Sequence, residues 1–156
     1  ECMERVSRKI TASGYTLIDD TTVILTHNGA QLSLSGVVTH GHRLNISYGD
    51  FAKVMDQYDD TMFNIMLMHD PAGWAVAEEY GTLPELTLSG HTHGMQIGLP
   101  VPGGYISPAS AIHEYWRGLY SKEDSYLFVT AGLGTIGMAA RIFMPPEIIV
   151  LTLRQE

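Results

Sequence analysis

Between the acidic turn Asp59-Asp60 and the triplet His69-Asp70-Pro71 the chain runs Phe63-Asn64-Ile65-Met66-Leu67-Met68, almost without a polar break. A nearly continuous apolar run of this length is the pattern of a buried strand. The residues after the triplet agree with that reading. Ala72 to Tyr80 has helical character and is stopped by Gly81, and Leu86-Thr87-Leu88 is the next strand. Upstream, the sequence predicts a helix over Glu1 to Ser13, ended by Gly14, and a short strand at Tyr15-Thr16-Leu17-Ile18. Strands at Thr22–Thr26 and Gln31–Val38 are joined by His27-Asn28-Gly29-Ala30, and Asn-Gly between two β-type runs is a strong hairpin signal. A helix over Tyr48 to Tyr58, with Asp50 in its first turn, precedes the apolar run. Gly94 to Pro108 reads as loop, Ala109 to Tyr120 as holding a short helix, and Tyr126–Thr130 as a strand. The glycine loop Ala131 to Met138 and a last strand at Ile148–Leu153 complete the chain. The order predicts a mixed α/β layer architecture in a single domain over residues 1–156, without repeats or linkers.

Bulk composition excludes some functions. The 156 residues are 45% hydrophobic, enough for one core, and carry 9 basic against 17 acidic side chains, a net of −8. Such a balance argues against broad nucleic-acid binding, which needs clustered Lys and Arg. A phosphate-bearing substrate stays compatible, because bound cations can supply local positive charge. Cys2 is the single cysteine, so no internal disulfide or thiolate metal site can form. No stretch has the roughly 20 mostly apolar residues of a membrane span. The compartment is left open between the cytoplasm and, given a targeting segment upstream of Glu1, a membrane-associated or exported location.

The chemistry concentrates in histidines. Of seven, His69, His91 and His93 stand where strands end. Sites in α/β folds gather at the carboxyl ends of strands. His91 and His93 are two apart, which in extended backbone places both on one side. Gly90 and Gly94 bracket the pair, so the chain can turn sharply and approach a ligand closely. Neutral imidazoles bind Zn, Mn or Fe, and such ions bring a bound water to hydroxide near neutral pH.

The stretch Leu88-Ser89-Gly90-His91-Thr92-His93-Gly94-Met95-Gln96 resembles the Gly-His-x-His motif of the calcineurin-like metallophosphoesterases. More specifically, it resembles a bacterial branch that usually reads Ser-Gly-His-Thr-His-Gly-Gly-Gln, from which Met95 departs. Ile65 to Pro71, Gly118-Leu119-Tyr120, Thr130 to Thr135, Arg141 and Pro146-Glu147-Ile148 resemble further blocks of that branch in order and spacing. The resemblance implies a four-layer α/β/β/α sandwich with mixed sheets around two divalent metal ions (Mn, Fe or Zn). His69 and His91 would bind one ion and His93 the other, and a metal-held hydroxide would attack a phosphodiester or pyrophosphate in line. Arg141, Gln96 and the backbone of Gly134 are the candidate substrate contacts.

The resemblance covers only the family's C-terminal portion. The N-terminal half supplies an Asp-x-His pair, a bridging Asp in Gly-Asp-x-x-Asp, and an Asn-His pair whose His protonates the leaving group. None of these stands here in the expected order, so no catalytic residue is identified. Gly49-Asp50 lacks the second Asp, His27-Asn28 reverses the required pair, and His40-Gly41-His42 has no family pattern around it. The chain alone is expected to bind metal weakly and to be nearly inactive. Its open sheet edges and apolar faces are expected to be covered by a second copy or by the N-terminal half, which would also carry any membrane proximity. Two other readings stay open: a non-catalytic remnant acting as an interaction domain, and a mononuclear zinc hydrolase using all three histidines.

Overall fold

The computed structural model describes residues 2–38, 49–81 and 83–154. His40-Gly41-His42 and Tyr48 lie outside the described residues. The elements are α1 (Cys2–Ala12), β1 (Thr21–His27), β2 (Ala30–Val37), α2 (Phe51–Met55), β3 (Phe63–Met68), α3 (Gly73–Glu79), β4 (Leu86–Ser89), β5 (Leu99–Val101), β6 (Gly104–Ile106), β7 (Gly118–Lys122) and β8 (Ser125–Val129). Six strands form one mixed sheet in the order β1-β2-β3-β4-β8-β7, and β5-β6 is a separate hairpin. β2, β3, β4 and β8 run parallel, while β1 and β7 are antiparallel to their neighbours at the edges. The mixed α/β prediction is therefore correct.

Local chemistry explains the main elements. Asn28 and Gly29 both take positive φ (51° and 81°) between the paired His27 and Ala30, the two-residue turn that suits the twist of a hairpin. Asp50 caps α2 by accepting the Lys53 N–H at 3.0 Å. The apolar run forms β3 and pairs in parallel with β2 on one side and β4 on the other.

The two faces of the sheet differ. Val37, Met66, Met68, Leu127 and Val129 pack with Phe51 and Val54 of α2 and with Trp74 and Ala77 of α3 in one buried cluster. Each large side chain buried there contributes about 1.5–3 kcal/mol. The opposite face carries Phe63, Leu67, Leu119 and Tyr126, all large, apolar and exposed. Registration aligns Leu67 with Leu88, Leu88 with Phe128, and Phe128 with Leu119 across that face. A continuous apolar surface of this kind marks a place where another surface packs.

Several sequence-based expectations change. Tyr15–Ile18 is not a strand; it lies against β2, where Gly36 leaves room for it. A Cβ at Gly36 would collide with the Ile18 carbonyl oxygen and approach its Cγ2 to 2.8 Å. Gly36→Ala is expected to destabilise the fold by about 1–3 kcal/mol in a thermal melt; an unchanged melting point would show that the segment is not seated there. Ala109–Tyr120 holds only a 3-10 turn over Pro108–Ala111, and its last residues begin the unforeseen strand β7. Gly94–Pro108 contains the β5-β6 hairpin. Ile148–Leu153 forms no strand, since no described strand pairs with it; Ile148 and Val150 are 77% and 86% exposed. Strand-type residues without a partner ladder leave backbone groups to water. Among the described residues no helix is long and apolar enough to cross a membrane.

Candidate metal centre

β3 and β4 deliver the histidines. β3 ends at Met68 and β4 at Ser89, and the Gly90 N–H donates to the His69 carbonyl at 3.0 Å, so the chain leaves both strands at one level. The His69 and His91 rings meet edge to face with centroids 5.2 Å apart. A cavity of about 390 Å³ opens beside them at the carboxyl ends of the parallel strands, with His69, Ser89, Gly90 and Thr130 in its wall.

The motif is not extended, which corrects the same-side expectation for His91 and His93. Both take left-handed backbone, with φ of 64° and 50°, and Thr92 between them is right-handed at −70°. The Thr92 N–H donates to the Gly90 carbonyl at 2.7 Å, closing a tight turn that a strand cannot continue through. His91 therefore faces His69, while His93 faces the glycine loop, with Arg141 Nη2 3.5 Å from its Nδ1. Met95 is also left-handed at 50° and 37% exposed. The glycine usual at this place in the resembling branch thus answers a backbone demand.

Two further groups join the histidines. One is His113, which carries no signal in the sequence; its ring lies 6.1 Å from that of His91, edge to face. Its segment is stapled to the motif at both ends. The Ser107 hydroxyl donates to the Gly94 carbonyl at 2.9 Å, and the Thr92 hydroxyl donates to the Trp116 carbonyl at 2.6 Å. Asp70 is the second: it is buried, and its Oδ2 stands 3.9 Å from His91 Nε2. Strand-end position could have flagged Asp70, whereas nothing in the sequence placed His113 near the motif.

Burial pushes the His91 imidazole below its ordinary pKa; the Asp70 carboxylate opposes the shift, and His69, His113 and His93 add to it. The neutral ring, the form that binds metals, is favoured.

The candidate substrate contacts have structural duties. Arg141 donates to the carbonyls of Ala131 (2.7 Å), Gly132 (3.0 Å) and Gly134 (3.1 Å), which fastens the glycine loop beside His93. Gln96 is 3% exposed; its amide donates to the Met138 and Ala140 carbonyls and accepts from the Ile136 N–H. Both side chains thus clamp the loop beside His93. Gly134 lies against His93 and offers its carbonyl to Arg141.

As a test of fit for a divalent ion, His69 and His91 supply two imidazoles, and Asp70 Oδ2 is a buried oxygen with no hydrogen-bond partner. Among the described residues no three His, Cys, Asp or Glu side chains close into a complete cage. The residues fit one wall of a metal site.

No family model and no solved structure matches the chain. Curated relatives do. The metallophosphoesterase YkuE of Bacillus subtilis is 35% identical over 105 residues, covering 67% of this chain and 36% of YkuE. The UDP-2,3-diacylglucosamine pyrophosphatase LpxG of Chlamydia muridarum is 31% identical over 150 residues, 87% of this chain and 43% of that protein. A metallophosphoesterase of Aquifex aeolicus is 32% identical over 108 residues, 69% of this chain and 39% of that protein. The chain thus spans well under half the length of these relatives. With the strand-end histidines, the glycine-flanked motif and these relatives in agreement, the chain belongs to the calcineurin-like metallophosphoesterase superfamily.

Proposed function

We propose that this chain forms the histidine-bearing wall of a two-metal site that hydrolyses a phosphodiester or pyrophosphate. The observation that carries the reading is the edge-to-face pair of His69 and His91 rings, 5.2 Å apart, at the ends of adjacent parallel strands. His69 and His91 would hold one ion and His93 the other. His93 lies beside Arg141 rather than in the His69–His91 ring pair, which speaks for two positions against a single three-histidine zinc. When bound, divalent ions polarise the phosphoryl oxygens and bring a water to hydroxide near neutral pH.

The chain's own residues prepare that site. Burial shifts His91 toward its neutral form. Arg141 and Gln96 clamp the glycine loop against which His93 lies. The open apolar face and the unpaired Ile148–Leu153 segment support the second sheet of a four-layer sandwich, contributed by residues outside these 156 together with the carboxylate ligands. LpxG acts on a lipid-linked pyrophosphate by its name, and a pyrophosphate-bearing lipid is accordingly the substrate class to try first beside a generic phosphodiester.

The test is turnover of bis(p-nitrophenyl) phosphate with added Mn²⁺. The full-length gene product should show activity that His69→Ala abolishes, and the 156 residues alone should show little. Full activity in the His69→Ala variant would overturn the site, and robust turnover by the isolated chain would overturn its incompleteness.

A further inference from the structure

We propose that Asp70 is the positioning residue of this site: its Oδ2 accepts the Nε2–H of His91 and leaves His91 Nδ1 as the metal-binding nitrogen. The inference rests on the metal-centre reading and deepens it.

Asp70 cannot turn away. Its Oδ1 accepts the Ala72 N–H at 3.0 Å, and its own carbonyl accepts the Gly73 N–H at 3.1 Å, so backbone and carboxylate are both fixed in the turn that opens α3. Pro71 locks the next residue and is itself fully buried. The consequence is that Oδ2 is held away from solvent where it meets no donor. A buried carboxylate oxygen in that condition calls for a proton donor or a cation.

His91 supplies the donor. Its Nε2 is 3.9 Å from Oδ2, beyond hydrogen-bond range, but the His91 side chain is 35% exposed while that of Asp70 is 3% exposed. The imidazole is the partner with room to rotate, and a small turn of the ring closes the gap. An ionised carboxylate only accepts, so it selects the tautomer carrying hydrogen on Nε2. The lone pair is then on Nδ1, the other ring nitrogen. Carboxylate–histidine–metal arrangements orient rings in this way, and the outer carboxylate controls metal affinity without touching the ion. His69, His93 and His113 are the other titratable groups acting on the ring, and all three are cationic when protonated. Asp70 is the carboxylate that stands opposite the ring, with Oδ2 3.9 Å from Nε2.

Two measurements test this on the full chain. First, long-range ¹H–¹⁵N correlation of the imidazoles, without metal and at mildly alkaline pH, should show His91 as the Nε2–H tautomer. An Nδ1–H ring or an even mixture overturns the proposal, and this arm needs no substitution. Second, Asp70→Asn, whose amide serves either tautomer, should give a mixed His91 signal and lower Co²⁺ affinity by roughly 10–100-fold. Co²⁺ affinity within twofold of the parent overturns it. His91→Ala separates the two levels of inference. If it leaves Co²⁺ binding intact, the metal-centre reading falls and this proposal with it. If it removes one bound Co²⁺ while Asp70→Asn changes neither tautomer nor affinity, only the positioning role falls.

Discussion

Alanine at His91 and alanine at His93 are expected to remove different metal ions. His91 meets His69 at a 5.2 Å ring separation, whereas His93 is turned toward Arg141 and the glycine loop. In protein that retains two ions before substitution, elemental analysis after dialysis should find one ion in each single variant. Loss of an outer partner alone costs roughly 10–100-fold in affinity, so loss of a direct ligand should cost more than about 100-fold. Non-additivity sharpens the assignment, since residues acting on one ion do not add. His69→Ala with His91→Ala should lose no more than either alone, while His91→Ala with His93→Ala should lose both ions. Loss of only one ion in the double variant His91→Ala with His93→Ala would instead assign the histidines to one mononuclear site.

The largest stability effect outside the apolar core is expected from Glu147→Gln. Glu147 Oε2 pairs with Arg117 at 2.6 Å, and Oε1 accepts from the Ala131 N–H at 2.7 Å and the Thr130 hydroxyl at 3.1 Å. Arg117 lies over the Tyr105 ring at 4.4 Å, so this knot joins the β5-β6 hairpin, the end of β8 and the C-terminal segment. Breaking a fully buried pair costs roughly 3–5 kcal/mol. The two side chains here keep 23% and 15% of their surface, so a loss of about 2–4 kcal/mol is expected once solvent screening is allowed for. The pH dependence has a definite sign. Burial raises the Glu147 carboxyl, but the Ala131 N–H, Arg117 and Thr130 together outweigh it and hold the pKa below the ordinary 4.5. A carboxyl lowered on folding stabilises the fold above that ordinary value and loses its contribution as pH falls through the lowered one. The parent should therefore lose stability more steeply than Glu147→Gln below pH 4.5 in denaturant titrations. Parallel acid branches would sink the assignment. Because the same loop carries the carbonyls that hold Arg141, the variant should also loosen the His93 ion.

The strand Phe63–Met68 was legible because the run is too short for a helix, but its burial was legible only in part: Met66 and Met68 are buried while Phe63 and Leu67 are exposed. The hairpin was legible because Asn28-Gly29 permits little else. What escaped was set by distant partners. β7 contains Gly118 and Ser121 and looks weak as a strand, yet it pairs with β8 over five positions. Ile148–Leu153 looks like a strand and pairs with nothing described, because β-structure is decided by the neighbour as much as by the residues. At the site, residue types and strand ends pointed to His69, His91 and His93. The direction of each ring was not legible, since the alternation rule assumes extended backbone and His91 and His93 are both left-handed. Arg141 and Gln96 look like ligands for anions in a bare sequence, and only the loop's carbonyls show where their donors are used.

The β5-β6 hairpin offers an experimental handle. Its turn, Val101-Pro102-Gly103-Gly104, ends in two exposed glycines with no atom within 4 Å of where a side chain would begin. The hairpin's base is secured nearby, through Ser107 to the Gly94 carbonyl and through Tyr105 beneath Arg117. Exposed tips of this kind tolerate insertion. A fluorophore or short epitope placed there would leave the bonds that secure the hairpin's base untouched.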